Sequence, residues 1–359
     1  MTLKHLFLQN FRNYTKSEFN FSPEINLIVG PNTAGKTNLL EAIYLLATAK
    51  SFHAQREREM VNWAVEVAHL KGEAENVVLE ITLTRGEVGG EKVVGKKLRV
   101  NGISKRQIDF IGNLRVVYFG PQDLQLVTDS PSLRRHWLDM VLEQVDRGYR
   151  RANLVYGKAL RQRNKVLLGI RNQELGISSL EYWTDLLLIN GPVITRKREE
   201  FIEFLNHREK SERKIIYDKS IISSQRLVQY SQEEVAAGAT LVGPHRDDFN
   251  IRIHTSNHAN ESLPDWQAGE WDCDLAIYGS RGEQRLAILW LKLGELEFIA
   301  KRCGERPILL LDDIFSELDH KHRHYVLDVI PKQQTIITTT DIHLIESSYQ
   351  KTAKMIELR

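Results

Sequence analysis

Residues 30–37 read Gly-Pro-Asn-Thr-Ala-Gly-Lys-Thr, and no other stretch of the 359-residue chain restricts its fold as tightly. The apolar run Ile25-Asn26-Leu27-Ile28-Val29 leads into it. Thr37 to Thr48 follows with apolar residues at helical spacing. A strand, a GxxxxGK[ST] loop and a helix in that order form the setting of a phosphate-binding loop. Glycines let backbone N–H groups turn inward around phosphates, and the start of the helix adds its positive dipole end. Gly30, Pro31, Asn32, Thr33, Ala34, Gly35, Lys36 and Thr37 are therefore the expected ATP-binding residues. Lys36 is expected to reach the β and γ phosphates and act in catalysis, and the Thr37 hydroxyl to ligate Mg²⁺.

Such a loop needs an acidic metal ligand on a neighbouring strand. Ile308 to Leu311 is an apolar run that ends in Asp312-Asp313. Asp312 is the expected Mg²⁺ contact and Asp313 the residue expected to orient or deprotonate an attacking water. Between loop and acidic pair lies Ser280-Arg281-Gly282-Glu283-Gln284-Arg285, which opens a helical segment running to about Ala300. Ser280 and Glu283 have the spacing of a capping box. The two cysteines, Cys273 and Cys303, lie in no CxxC pair, so the sequence indicates neither a zinc site nor a disulfide framework. No apolar run approaches the roughly 18–20 residues that span a bilayer. The N-terminus alternates apolar and polar residues, unlike a secretory leader, so the expected location is cytoplasmic.

The chain reads as an α/β domain assembled from both ends, with a helical insertion between them. Residues 77–84, 93–100 and 116–119 carry strand patterns, and long charged helical patterns run from Pro131 to about Val235. The last 80 residues alternate helix (282–300), strand (307–311), helix (about 320–330) and strand (334–339), which argues for an α/β sheet. The expected division is 1–121, a nucleotide-binding head; 122–241, a helical arm; and 242–359, the rest of the head. Gly243-Pro244-His245-Arg246-Asp247-Asp248 is open to two readings: a metal or acid/base site, or a structured turn from arm to head with internal Arg–Asp ion pairs.

Phosphate loop, helical insertion, Ser-x-Gly-Glu, acidic strand and Ser316-Glu317-Leu318-Asp319 follow the chain order of the ABC/SMC-type DNA-repair ATPases, which this sequence resembles. Finer motifs resemble the RecF family of bacterial recombination mediators. They include Asn10-Phe11-Arg12-Asn13-Tyr14, Gly35 to Ile43, Phe119-Gly120-Pro121-Gln122-Asp123-Leu124, Ser130-Pro131-Ser132-Leu133-Arg134-Arg135, Leu138-Asp139, Gln162-Arg163-Asn164 and Gly243 to Asp248. The resemblance implies an ABC/SMC-type ATPase head with an inserted helical arm. It implies ATP-dependent binding of double-stranded, gapped and single-strand/double-strand junction DNA, with slow DNA-stimulated hydrolysis. ATP would be sandwiched in a homodimer, with Ser280, Gly282 and Glu283 of one copy completing the site of the other. RecR and RecO would be partners in loading RecA, in gap repair and the SOS response. Gln122 would sense the γ-phosphate, or be an ordinary loop residue, and Arg12 would contact nucleotide. Three departures stand out. Thr338-Thr339-Thr340-Asp341 lacks the switch histidine, Asp313 replaces the usual glutamate, and Ser51-Phe52-His53-Ala54 lacks an expected arginine. The first two suggest slow turnover. A transporter ATPase subunit and a non-hydrolysing scaffold share the nucleotide motifs. The insertion of over 100 residues and Tyr278-Gly279-Ser280-Arg281-Gly282-Glu283 in place of LSGGQ favour the DNA-clamping class.

The formal net charge of +2 excludes a uniformly basic coat for nucleic acid. Its distribution is uneven. Residues 147–171 carry eight basic side chains and no acidic one. At 100° per residue, Arg147, Arg150, Arg151, Lys158, Arg161 and Lys165 fall within an arc of about 100°. Such a stripe follows phosphates without reading sequence, or is a solvated face paired with acidic residues elsewhere. A second cluster, Lys92, Lys96, Lys97, Arg99, Lys105 and Arg106, lies on strand-turn segments.

Overall fold

The computed structural model describes residues 1–208, 213–253, 273–317 and 320–358. The chain forms two compact units, Met1–Asp123 with Glu295–Arg359, and Leu124–Gly294. Among the described residues no helix is long and apolar enough to cross a membrane.

The first unit contains two sheets. Five parallel strands run in the order Val116–Phe119, Ile308–Asp312, Thr335–Thr339, Ile25–Val29, Lys354–Glu357. The three central strands, Ile308–Asp312, Thr335–Thr339 and Ile25–Val29, have almost no exposed residue, the pattern of a parallel sheet covered on both faces. An antiparallel sheet of six strands has the order Tyr14–Asn20, Leu3–Phe11, Val67–Ala74, Val77–Thr84, Lys96–Val100, Ile103–Lys105. Helix Lys36–Thr48 packs against both sheets and buries eleven of its thirteen residues. Each of its fully buried leucines and isoleucines stabilises the unit by about 1.5–3 kcal/mol. Gly72 permits this approach, since a Cβ there would lie 2.7 Å from Leu46 Cδ1. The buried Gln334 side chain accepts from Leu3 N–H (2.7 Å) and donates to the carbonyls of Leu3 (2.8 Å) and Ser22 (2.7 Å), tying the N-terminal strand to the parallel sheet.

The second unit is built on helices Pro131–Val145, Arg147–Arg171 and Glu181–Asn206, with a three-stranded antiparallel sheet, Arg213–Asp218, Asp248–Ile253 and Cys273–Asp274. Trp137, Phe201 and Phe249 meet in its core. Beside them a buried polar network forms around Arg198, which is 3% exposed. Its guanidinium donates to Asp139 Oδ1 (2.7 Å), Asp247 Oδ2 (3.0 Å), Pro244 O (2.7 Å) and Tyr149 Oη (3.1 Å). Tyr217 donates to the same Asp247, and Arg134 pairs with Asp248 at 2.6 Å. Residues 243–248 are thus a structured turn, and their carboxylates are neutralised by arginines from two helices. The strand that follows pairs with Arg213–Asp218 inside this unit. The described residues of 242–294 therefore belong to the unit of the helices, where the sequence expectation put them with the head. Their pairing partners explain it: the segment donates its strand to Arg213–Asp218 and its turn to Arg198.

His245 supplies a pH test. Its Nε2 donates to Thr240 O (3.0 Å), which leaves Nδ1 to accept from Tyr156 Oη (2.8 Å), the pattern of a neutral ring. Burial, aided by Arg246, Arg135 and Arg163, pushes its pKa down from 6.5 to about 4. An unfolded chain takes up this proton first, so the contribution of His245 is present above pH 6.5 and is lost as pH falls toward 4. That drop should remove about 3 kcal/mol of stability in the wild type and should be absent in His245→Gln. Urea unfolding at pH 7, 5.5 and 4 checks it; equal pH slopes in the two proteins would refute the assignment.

Candidate functional site

The strand Ile25–Val29 ends at the loop of residues 30–35, and helix Lys36–Thr48 begins at once. Gly35 adopts φ 98°, a conformation that disfavours any side chain, and a Cβ there would lie 2.5 Å from Asn13 Nδ2. The N–H groups of Gly35, Lys36 and Thr37 meet no acceptor among the described residues, as expected of the first helical turn. Lys36 Nζ curls over the loop and donates to the carbonyls of Gly30 (2.8 Å) and Pro31 (2.9 Å). Burial lowers the Lys36 pKa, against the pull of the Asp313 and Asp312 carboxylates. The loop thus offers N–H donors that meet no acceptor among the described residues, and one lysine with two acidic residues nearby. That donor set fits a polyphosphate with a divalent cation.

The acidic pair lies at the carboxyl end of strand Ile308–Asp312, where ligands bind in open parallel sheets. Asp312 is buried. Its Oδ1 accepts from Thr37 Oγ1 (3.1 Å) and Thr338 Oγ1 (2.7 Å), and its Oδ2 from Tyr118 Oη (3.1 Å). Burial and the Asp312 charge push the Tyr118 phenol pKa up, so it stays a donor. Asp313 follows at φ 51°, with its N–H donating to Thr338 O (3.2 Å) and Oγ1 (3.1 Å). The structure therefore brings together Lys36, Thr37, Asp312 and Asp313 as the sequence led us to expect. Two partners were missed: Thr338, which stands where a switch histidine was sought, and Tyr118, whose only sequence signal was a polar atom in an apolar strand.

Arg12 occupies the tight turn between strands Leu3–Phe11 and Tyr14–Asn20, at φ 52°. Its guanidinium grips Glu41 of the loop helix with two bonds of 2.7 Å and donates to Glu59 O at 2.8 Å. All three nitrogens are engaged inside the protein. The neighbouring Tyr14 Oη donates to Gly35 O (3.0 Å) and Asn13 Nδ2 to Ala34 O (3.3 Å), so this turn braces the phosphate loop. Gln122 lies in the turn Pro121–Leu124, with no side-chain hydrogen bond among the described residues. Ser280, Gly282 and Glu283 belong to the second unit. Ser280 N–H and Oγ reach Glu283 Oε2 (both 2.8 Å), and Glu283 N–H returns to Ser280 Oγ (3.3 Å), a reciprocal capping box on helix Arg281–Cys303. Ser316 Oγ donates to Asp313 O (2.7 Å), while Leu318 and Asp319 lie outside the described residues.

Of the basic stripe on helix Arg147–Arg171, Arg147, Arg151, Lys158, Arg161 and Lys165 are exposed and Arg150 is half-buried. Arg151, Lys158, Arg161 and Lys165 form no ion pair among the described residues. Arg163, on the opposite face, is buried and pairs with Glu234 at 2.7 Å.

Removing the partner of a largely buried arginine strands its charge. Glu41→Ala should destabilise the first unit by about 3 kcal/mol. A loss below about 1 kcal/mol in urea unfolding would show that Arg12 does not brace the loop helix.

The profile of the RecF/RecN/SMC N terminal domain family matches residues 2–358. The DNA replication and repair protein RecF of Halalkalibacterium halodurans is 35% identical, over 100% of this chain and 98% of that protein. A Bacillus cereus protein of the same name is 35% identical over 100% and 97%. The solved recombination mediator protein RecF with ATP, of the RecFOR pathway, superposes with a TM-score of 0.81 at 32% identity, covering 96% of this chain and 93% of that one. The chain belongs to the RecF family of DNA replication and repair proteins, with the ABC/SMC-type ATPase head and an inserted helical arm.

Proposed function

We propose that this protein binds ATP and Mg²⁺ at the Gly30–Thr37 loop and uses them to bind double-stranded DNA, including gapped and single-strand/double-strand junction DNA. The observation that carries this is the convergence of Lys36, Thr37, Asp312 and Asp313 at the carboxyl ends of one parallel sheet. Family membership supports the DNA substrate and a role in replication and recombinational repair in the cytoplasm, including the SOS response, with RecR and RecO as partners in loading RecA.

The side chains then divide the chemistry among them. Loop N–H groups and Lys36 hold the phosphates, Lys36 exchanging its two carbonyl acceptors for phosphate oxygens. Thr37 and Asp312 hold Mg²⁺, which when bound supplies positive charge to the transferring phosphoryl group. Asp313 orients the attacking water and takes its proton. A carboxylate one methylene shorter than glutamate reaches less far, which suits slow turnover. Gln122 lies beside this end of the sheet and senses the γ-phosphate, while Arg12 acts through Glu41 to hold the loop helix. Ser280, Gly282 and Glu283 meet the nucleotide of a second copy, so ATP drives dimerisation and DNA-stimulated hydrolysis releases it. The exposure of Ser280 and Gly282 at the start of a 23-residue helix supports that role. Arg147, Arg150, Arg151, Lys158, Arg161 and Lys165 run along the DNA backbone.

Gel filtration with and without ATP and duplex DNA tests the core of the proposal. The wild type should shift to a dimer only with ATP. Asp313→Asn should keep that shift while losing hydrolysis by at least about 100-fold, and Lys36→Arg should keep ATP-dependent assembly if binding alone drives it. A chain that stays monomeric and ignores DNA overturns the proposal.

The stripe has its own test. Reversing Arg151, Lys158 and Arg161 to glutamate should weaken DNA binding across all sequences and reduce the salt slope by about one per lost phosphate contact. Unchanged affinity and slope would remove the stripe from the DNA surface.

A further inference from the structure

Asp312 is 5% exposed, and its two carboxylate oxygens are served unequally. Oδ1 receives two hydroxyls, from Thr37 and Thr338, whereas Oδ2 receives one, from Tyr118 at 3.1 Å. That phenol is itself held in place. The ring of Phe52 stacks on Tyr118 with centroids 3.9 Å apart and planes 17° apart, and Tyr44 meets it edge-on at 6.1 Å. Tyr44 and Phe52 also pack against each other at 5.3 Å, which closes an aromatic triangle. Space for the hydroxyl comes from Gly120, where a Cβ would fall 2.2 Å from Tyr118 Oη. A buried carboxylate whose second oxygen lost its donor would be held through Oδ1 alone, and would carry an uncompensated lone pair.

We propose that Tyr118, clamped by Phe52 and Tyr44 and cleared by Gly120, is a positioning residue that fixes the Asp312 carboxylate for Mg²⁺. This rests on Asp312 being the metal-contacting carboxylate. Phe52 gains a role by the same geometry, because the Ser51–Ala54 segment, which lacks the arginine expected there, acts on the site through its aromatic ring.

The test uses the full-length protein and a fluorescent ATP analogue titrated with Mg²⁺. Tyr118→Phe keeps the aromatic stack and removes only the hydroxyl. It should lower thermal stability only by the one lost hydrogen bond, leave metal-free analogue binding unchanged, and raise the Mg²⁺ concentration for half-maximal binding by about tenfold. Gly120→Ala, which crowds the hydroxyl without removing it, should shift the Mg²⁺ dependence in the same direction. A residue that only filled the core would lower stability and metal-free binding together, with no selective change in the Mg²⁺ midpoint. Asp312→Asn separates the role of Tyr118 from that of the carboxylate. If it loses the Mg²⁺ response while Tyr118→Phe keeps the wild-type midpoint, Tyr118 does not position the carboxylate. If Asp312→Asn itself keeps the wild-type midpoint, the metal assignment of Asp312 fails and the role of Tyr118 falls with it.

Discussion

Helix Lys36–Thr48 buries eleven of its thirteen residues, and a helix apolar on every side must be covered on every side. Here the parallel sheet covers one flank and the antiparallel sheet another. With both flanks occupied the helix has little freedom to shift along its axis, so its first turn is fixed at the carboxyl ends of the parallel strands. The acidic residues arrive at the same end because Ile308–Asp312 runs parallel to Ile25–Val29 in that sheet, with Thr335–Thr339 between them. Proximity of Thr37 and Asp312, which are 275 residues apart, is thus a result of packing one buried helix.

The polar side chains of the first unit work on this frame as braces. Gln334 ties the N-terminal strand to the parallel sheet, Arg12 ties the hairpin turn to Glu41, and Tyr14 and Asn13 hold the loop carbonyls. Asn13 is exposed, but Gln334, Arg12 and Tyr14 are buried or half-buried, and leaving such a group unpaired costs about 1–3 kcal/mol. Thr338 joins the two acidic residues by donating to Asp312 and accepting from the N–H of Asp313. The φ of 51° at Asp313 sits beside this double contact. Asp tolerates the left-handed region better than most residues, which is consistent with Asp at a position where the strand must turn abruptly.

Much of this was legible in the sequence because its signals are local. A buried parallel strand is a continuous apolar run, so Ile25–Val29, Val116–Phe119 and Ile308–Asp312 stood out, and the loop with its helix is contiguous. What was not legible depends on partners far apart in the chain. The family resemblance assigned Arg12 a nucleotide contact, and nothing in its sequence neighbourhood announces Glu41, 29 residues on, as a partner of its guanidinium. Tyr118 read as one more strand residue until Asp312, 194 residues away, came beside it. The turn at 243–248 carries its own arginine and two aspartates, which suggested pairing within the motif. The partners proved to be Arg198 and Arg134, from helices that only folding brings there.

Charge makes the same point on a single helix. The segment 147–171 carries eight basic residues, yet a count by segment overstates what the surface presents. Arg163 is 4% exposed, paired with Glu234 and bonded to Thr240 and Thr184. Its charge is used inside the unit. Arg161 and Lys165, two residues to either side, point away from that face at about 200° and are exposed. Helical periodicity, not composition, separates the arginine that holds the arm together from the cations left exposed. Leu154 also lies on the exposed side and is 58% exposed, within the arc of the cations. Under the proposed function it is these exposed cations, and not Arg163, that would lie along phosphates.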